Sequence, residues 1–288
     1  MKLDDGLEEH MKPISSANGI CLSIEEVLKL RLTLDQLKND IQSDEILFWG
    51  KIMGAEKDYY ISLALYYKGY NKFPKKKFYF CSSSNFSFSE LPEIQKHHLK
   101  EFKNYNTYFI GNPDIILKKF SDNKNTNIEE QIGDVFKPNL KLKNLTESDR
   151  LSYIVRAISH DCSIVPLGSF KMLPINEIRR NDLFEGLSSE DLDKPDKYFH
   201  FRPVECENKI DMINMGNAVF DYSFLDCISD DEIKGSWSIH VDSSKSVSNI
   251  RSLIWNGYFA YHKANSNLFG GVYIGYGIKT EDIAFMQQ

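Results

Sequence analysis

Apolar residues in the first part of the chain fall into a helical rhythm at Val27, Leu30, Leu34, Leu37 and Ile41. Their alternating spacing of three and four places them on one face of a helix. Ser23 with Glu26 three residues later forms a capping box, which satisfies two orphan backbone donors and sets the predicted helix start. The stripe covers fewer than three heptads, too short for a free-standing coiled coil. The rhythm then changes. Ile46 to Met53 and Tyr59 to Tyr67 are rich in β-branched and aromatic residues, with Gly54 to Asp58 between them, and predict a hairpin. Lys77 to Cys81 and Phe86 to Phe88, around Ser82-Ser83-Ser84-Asn85, predict a second hairpin. Leu91 to Asn104 reads as a short helix and Thr107 to Ile110 as a strand.

Two segments break the pattern. Residues 1–20 carry charge with little apolar periodicity and are expected to form a mobile tail. Residues 118–131, with Ser-Asp-Asn-Lys-Asn-Thr-Asn, are expected to be a polar, partly disordered insertion. Thr146 with Asp149 opens another predicted helix, whose apolar face is Leu151, Ile154, Val155 and Ile158. Ile164 to Pro166 is expected to be extended. Ser188 and Asp191 open a brief helical turn that Pro195 should stop.

From Gly235 the chain reads as an antiparallel meander. Trp237, Ile239 and Val241 alternate with polar residues, and Ser243-Ser244-Lys245 makes a turn. Asn256-Gly257 between Ile250–Trp255 and Tyr258–His262 is the strongest hairpin signal, and Gly271 to Gly275 supplies a last strand. Strands and helices do not alternate as βαβ units, which argues against a doubly wound sheet. No fixed-period repeat is present. The expected class is α+β, mainly antiparallel sheet with hairpins and a C-terminal meander, flanked by a few amphipathic helices. Residues 21–288 are expected to form a single domain.

Composition narrows the function classes. The chain has 288 residues and a net charge of −6, which argues against general nucleic-acid binding. Lys72, Lys75, Lys76 and Lys77 form a local basic run, read as a solvated loop because Pro74 interrupts it and no aromatic platform is clear. The five cysteines, Cys21, Cys81, Cys162, Cys206 and Cys227, show no Cys-x-x-Cys spacing. That pattern fits reduced thiols better than disulfides or structural zinc. The N-terminus lacks an apolar signal region. The longest apolar run, Tyr59 to Tyr67, is too short for a membrane helix. A soluble, cytoplasmic chain is expected.

The candidate chemistry is thin. His160-Asp161-Cys162 holds a base, an acid and a thiol, yet adjacent residues rarely converge on one reaction centre. His97-His98 lacks a ligand at i+4, and surface histidines are the expected reading. The glycines from Gly270 to Gly277 lie in and around a strand, so they are read as close packing or bulges rather than a phosphate loop. Asp230-Asp231-Glu232 lacks calcium-loop spacing and is read as a solvated turn. His200, between two aromatics, is expected to be packed or hydrogen-bonded, with no carboxylate at a suggestive spacing. No catalytic residue, cofactor site or metal site is assigned.

Aromatic content remains: 19 Phe, 15 Tyr and 3 Trp, or 13% of the chain. A sheet with two faces must bury such rings in its own core or against another chain, and Tyr, Trp and Arg dominate interface hot spots. The candidate core or partner-interface residues are Trp49, Tyr198, Phe199, Phe201, Arg202, Trp237 and Trp255. Core is the favoured reading for Trp49 and Trp255.

Several ordered blocks resemble the radial spoke head proteins of cilia. They are Ile46-Leu47-Phe48-Trp49-Gly50-Lys51-Ile52-Met53-Gly54 with Asp58-Tyr59-Tyr60-Ile61, and Phe184-Glu185-Gly186-Leu187-Ser188 leading to Tyr198-Phe199-His200-Phe201-Arg202. Then follow Lys234-Gly235-Ser236-Trp237-Ser238-Ile239, Arg251-Ser252-Leu253-Ile254-Trp255, and Gly271 to Gly277 ending near Phe285-Met286. The short length and Phe48-Trp49-Gly50 are closer to the protein 9 branch than to the larger proteins 4 and 6. The resemblance implies a non-enzymatic subunit of the axonemal spoke head, needed for head assembly and for relaying central-pair signals to dynein arms. It implies relatives of spoke head proteins 4 and 6 as partners, central-pair projections through the assembled head, and neither nucleic acid nor membrane. The alternatives are a generic cytoplasmic adaptor, or a small-molecule-binding domain outside cilia with a pocket among the C-terminal strands.

Overall fold

The computed structural model describes residues 7–67, 73–94, 99–102, 107–118, 144–175 and 177–282. The segment 1–20, expected as a mobile tail, carries a helix instead. Helix α1, Leu7–Asn18, buries Leu7, His10, Met11 and Ile14. Those positions recur at three- and four-residue spacing, but Glu8, Glu9, Lys12 and an internal Pro13 dilute the stripe. The His10 ring bonds the Tyr261 hydroxyl and fastens α1 to the sheet. Helix α2, Ile24–Asp40, starts at the predicted capping box and buries Val27, Leu30, Leu34 and Leu37, with Ile41 as its C-cap. Glu26 does more than cap. Its Oε1 accepts from Lys51 Nζ at 2.7 Å and from the Tyr60 hydroxyl at 2.5 Å, tying helix to sheet. Burial opposes ionisation of Glu26, yet the bonds from Lys51, Tyr60 and the Ser23 backbone outweigh it and hold the carboxyl at about 2.

The first predicted hairpin forms as β1, Glu45–Ile52, and β2, Tyr59–Tyr66. A register shift between Phe48 and Gly50 lets Trp49 and Ile52 join the same core layer while Phe48 joins the other. A Cβ on Gly50 would stand 2.1 Å from the Tyr273 carbonyl oxygen, so the bulge requires glycine. Strand β2 is buried on both faces, which explains its unbroken apolar run. Strand β3, Lys75–Ser82, pairs with β2 and then with β4, Ser89–Glu90. The predicted return strand Phe86 to Phe88 is therefore displaced. Phe86 adopts φ +49° and stacks on Tyr60, with ring centroids 5.1 Å apart, which takes it off the ladder. Lys75, Lys76 and Lys77 lie on β3 rather than in a loop, and Lys72 lies outside the described residues.

Of the predicted helix from Leu91 to Asn104, only α3, Leu99–Phe102, is helical among the described residues. The predicted strand Thr107 to Ile110 reduces to a single bridge from Phe109 to Gly54. Strands β5, Ile116–Lys118, and β6, Leu145–Thr146, form a short ladder. The expected insertion falls, from residue 119 on, outside the described residues. Helix α4, Glu147–Cys162, starts at the Thr146–Asp149 capping box and buries the predicted face. Beyond it come β7, Ile164–Pro166, β8, Phe170–Met172, β9, Ile178–Arg180, and β10, Tyr198–His200. Strand β7 pairs with β10, and β8 with β9. The turn after Ser188 does not develop into an α-helix. Pro195 opens a short 3-10 turn, Pro195–Lys197, rather than stopping one.

Helix α5, Glu207–Asn214, precedes the meander. The meander comprises β11, Trp237–Val241, β12, Val247–Ser252, β13, Tyr258–Lys263, and β14, Phe269–Gly275, each antiparallel to the next. Asn256-Gly257 lies in the β12–β13 connection, which is longer than a two-residue turn because Arg251 registers with Phe259. Strand β14 then pairs parallel with β1, joining the two ends of the chain in one eight-stranded sheet of order β11-β12-β13-β14-β1-β2-β3-β4. The fold is α+β and mostly antiparallel, as the patterning predicts. Helices α1 and α2 cover one face, over Phe48, Tyr60, Phe259 and Ile274. Helix α4 and the segments through β10 and α5 cover the other, over Trp49, Ile61, Tyr258 and Tyr273.

Candidate assembly surfaces

Five of the seven candidate residues lie inside the chain. Trp49 packs edge-on to Phe78 and against Tyr273 at 5.6 Å. Tyr198 donates its hydroxyl to the Leu192 carbonyl at 2.8 Å. Phe199 and Phe201 are buried, and Phe201 meets Phe170 at 4.4 Å and Phe73 at 4.9 Å. Trp255 is buried and donates its indole N–H to Asp161. The remaining two are half-buried: Arg202 lines a polar groove, and Trp237 is bonded to Asp231, which lines the same groove.

That groove lies between the end of α4, the end of β10 and the 226–232 loop. Arg202 Nη2 pairs with Glu205 at 3.0 Å, and His160 Nε2 lies 3.2 Å from the same carboxylate. His200 Nε2 lies 2.8 Å from Asp231 Oδ1, whose other oxygen accepts the Trp237 indole N–H at 2.8 Å. Burial would raise the Asp231 carboxyl, but the bonds from His200 and Trp237 outweigh it and hold it low. The solvated-turn reading therefore fails for Asp231. The partner that sequence spacing did not show for His200 arrives 31 residues later by folding. The triad-like His160-Asp161-Cys162 does not converge. Cys162 faces the core, where burial pushes its thiol up, while His160 is at the surface.

The glycine block is close packing. The Tyr258 ring lies over Gly271, and the Tyr273 hydroxyl accepts the Gly277 N–H at 2.9 Å. The cavity between Phe201, Tyr258 and Gly271 holds about 100 Å³, below the roughly 300 Å³ at which small-molecule sites begin. Among the described residues no group of three His, Cys, Asp or Glu is arranged to hold a metal, and no helix is long and apolar enough to cross a membrane. The pair His97-His98 lies outside the described residues. All five cysteines are free.

Several large apolar residues stand outside the core. Helix α2 carries a second stripe, Ile24, Leu28 and Leu32, spaced four apart and 80%, 54% and 66% exposed. It was present in the sequence beside the buried stripe, and a single-face reading of the helix passes over it. Leu183 and Phe220, 82% and 88% exposed, flank an open cavity of about 490 Å³ with Tyr222. Tyr108 and Tyr276 pack edge to face at 5.0 Å on the surface. Nothing in local periodicity announces the last two patches, because each joins segments distant in sequence. Exposed apolar groups gathered in this way are the candidate contact surfaces of the chain.

A sheet with a filled core on each face and exposed apolar patches defines the class: an α+β module whose described residues show no assembled catalytic or metal site. Residues 4–103 match the family model of radial spokehead-like proteins. The chain is 30% identical over 279 residues to the radial spoke head protein 9 homolog of Homo sapiens, covering 95% of this chain and 96% of that one. It is 31% identical to the Danio rerio homolog over 278 residues and 28% identical to that of Mus musculus over 279, with the same coverage. The chain belongs to the radial spoke head protein 9 family, as the ordered blocks imply.

Proposed function

We propose that the chain is a non-enzymatic structural subunit of the axonemal radial spoke head, required for head assembly and for passing central-pair signals to the dynein arms of a beating cilium or flagellum. The observation that carries this reading is similarity to spoke head protein 9 homologs along 95% of the chain. The geometry is consistent with it: the conspicuous rings are spent on an internal core, and separate apolar patches remain for neighbours. The partners would be other spoke head proteins, relatives of proteins 4 and 6, with central-pair projections met through the assembled head. The stripe Ile24, Leu28 and Leu32 is one docking face, since it stands exposed and no described residue covers it.

The test is replacement of the native copy in ciliated cells by tagged wild type or by Leu28→Glu. Wild type should co-purify with spoke heads from isolated axonemes and support regular beating. Leu28→Glu, at an exposed position, should fold with an unchanged thermal midpoint yet be depleted from axonemes. Absence of the wild-type chain from axonemes would overturn the proposal.

A further inference from the structure

The cavity between Leu183, Phe220 and Tyr222 is fixed from below. Phe184 stacks on His262 at 5.8 Å and meets Phe269 edge-on at 6.0 Å. Gly186 follows with φ +100°, and a Cβ there would lie 2.3 Å from the Ser266 backbone nitrogen. Glycine alone lets this segment lie against the β13–β14 turn, where Leu187 N–H donates to His262 Nε2 at 2.9 Å and the Asn265 N–H to the Leu187 carbonyl at 2.9 Å. The wall bearing Leu183 is tied back by Asn181, whose side-chain amide donates to the Gly168 carbonyl at 2.9 Å and whose Oδ1 accepts the Leu183 N–H. Opposite, Phe220 ends a 3-10 turn after α5, and Asp221 accepts from Ser223 N–H and Oγ to hold the next turn. The floor and walls are therefore set by the chain, while the apolar tips of Leu183 and Phe220 project into solvent.

The charged residues that line this cleft have one sign. Asp182, Glu185 and Asp221 line this cavity and the 920 Å³ groove that continues from it past Gly186, and among the described residues no lysine or arginine lines either. Asp182 and Glu185 are exposed. A preformed apolar cleft with an acidic rim selects one kind of occupant: its anchors favour an apolar side chain at the centre and its rim favours cations around it.

We infer that this groove docks a segment of another protein that carries an apolar anchor flanked by lysine or arginine. The anchor lies between Leu183, Phe220 and Tyr222, and the flanking cations meet Asp182, Glu185 and Asp221. The inference rests on the reading of the chain as an assembly subunit and names the chemistry of one of its partners.

The test uses the full chain and two fluorescein-labelled short peptides, each with one tryptophan and one leucine, flanked by lysines in one and glutamates in the other. Fluorescence anisotropy should show saturable binding of the lysine peptide, weakened by added salt. Phe220→Asp should weaken it at least about tenfold, and so should Asp182→Lys with Glu185→Lys, whereas Ile24→Asp on α2 should leave it unchanged. All these positions are exposed, and thermal unfolding of each variant verifies folding. Absence of saturable binding, equal binding of the glutamate peptide, or indifference to both groove variants would overturn the inference. These readouts are independent of axonemal incorporation: a chain that enters axonemes and fails here loses only the groove, and one that passes here and is absent from axonemes loses the spoke head assignment.

Discussion

The indole N–H of Trp255 donates to Asp161 Oδ2 at 2.9 Å, joining the loop after β12 to the last turn of α4. Lys279 Nζ reaches the same oxygen at 3.1 Å while lying 5.6 Å from the Trp255 ring. Burial would raise the Asp161 carboxyl, but hydrogen bonds from His160, Trp255 and Lys279 outweigh it and hold it well below the usual range. Asp161→Ala leaves the buried indole donor unsatisfied and should cost about 1–3 kcal/mol. Trp255→Phe removes the donor and leaves a smaller ring. In a urea double-mutant cycle the two losses should sum to more than the double variant loses. Additive losses would mean that the bond contributes nothing of its own.

Glu147 ties four donors to one buried carboxylate. Fully buried at the start of α4, its Oε1 accepts from the Tyr59 hydroxyl at 2.7 Å, Gly111 N–H at 2.8 Å and Asn112 N–H at 3.2 Å, and its Oε2 accepts Ile110 N–H at 3.0 Å. One carboxylate thus satisfies the turn at 110–112 and binds it to both helix and sheet. Glu147→Ala leaves those donors without an acceptor and should cost about 3 kcal/mol or more. Glu147→Gln should cost less than alanine but not be neutral, because an amide N–H₂ would face the Ile110 N–H. Tyr59→Phe should cost about 1.5–3 kcal/mol, the range for bonds to charged groups. Chemical denaturation of the three variants checks the ranking.

Local chemistry made α2 and α4 legible, since each begins at a capping box whose residues sit three apart. The twofold patterning of Trp237, Ile239 and Val241 likewise reported the meander. Helix α1 was hidden by Pro13 and by the charges around Leu7, Met11 and Ile14. The parallel pairing of β14 with β1 left no local mark, because it joins strands from the two ends of the chain. The His200–Asp231 contact was hidden because folding, not local spacing, closes the 31 residues between them. Of the exposed apolar patches, the Ile24, Leu28 and Leu32 stripe was open to a helical-wheel reading. The Leu183–Phe220 cleft was not, since its two walls are brought together only by the fold.

His262 gives the fold an acid-sensitive joint. Burial pushes its ring down to about 4, although the Leu268 carbonyl near Nδ1 opposes the shift. The neutral ring accepts the Leu187 N–H at Nε2, and protonation there would set donor against donor. Between the ordinary 6.5 and about 4 the unfolded chain binds more protons. Stability therefore falls as pH falls through that window, by roughly 2–3 kcal/mol in all. His262→Gln keeps a hydrogen-bonding side chain that does not titrate and should flatten this part of the stability–pH curve. An unchanged slope in urea titrations across the window would assign the acid sensitivity elsewhere.

Lys76 produces the opposite edge of the pH profile. Its ammonium bonds the Phe201 carbonyl and lies 4.8 Å from the Phe201 ring centroid and 5.5 Å from that of Phe73. The aromatic platform that was not clear from the sequence is thus assembled by the fold from nearby Phe73 and distant Phe201. Burial, with a smaller contribution from Arg202, pushes the ammonium down to about 7 from its ordinary 10.5. Between those values the unfolded chain holds the proton more tightly, so stability rises as pH rises from about 7 toward 10.5. Lys76→Met keeps the stem and removes the charge. It should stabilise the chain at neutral pH by about 2 kcal/mol, less than the full shift would give because the half-buried side chain keeps some solvation. It should also abolish the alkaline rise. Urea midpoints of wild type and Lys76→Met measured across that window decide the point: parallel curves would show that Lys76 titrates as it does in water.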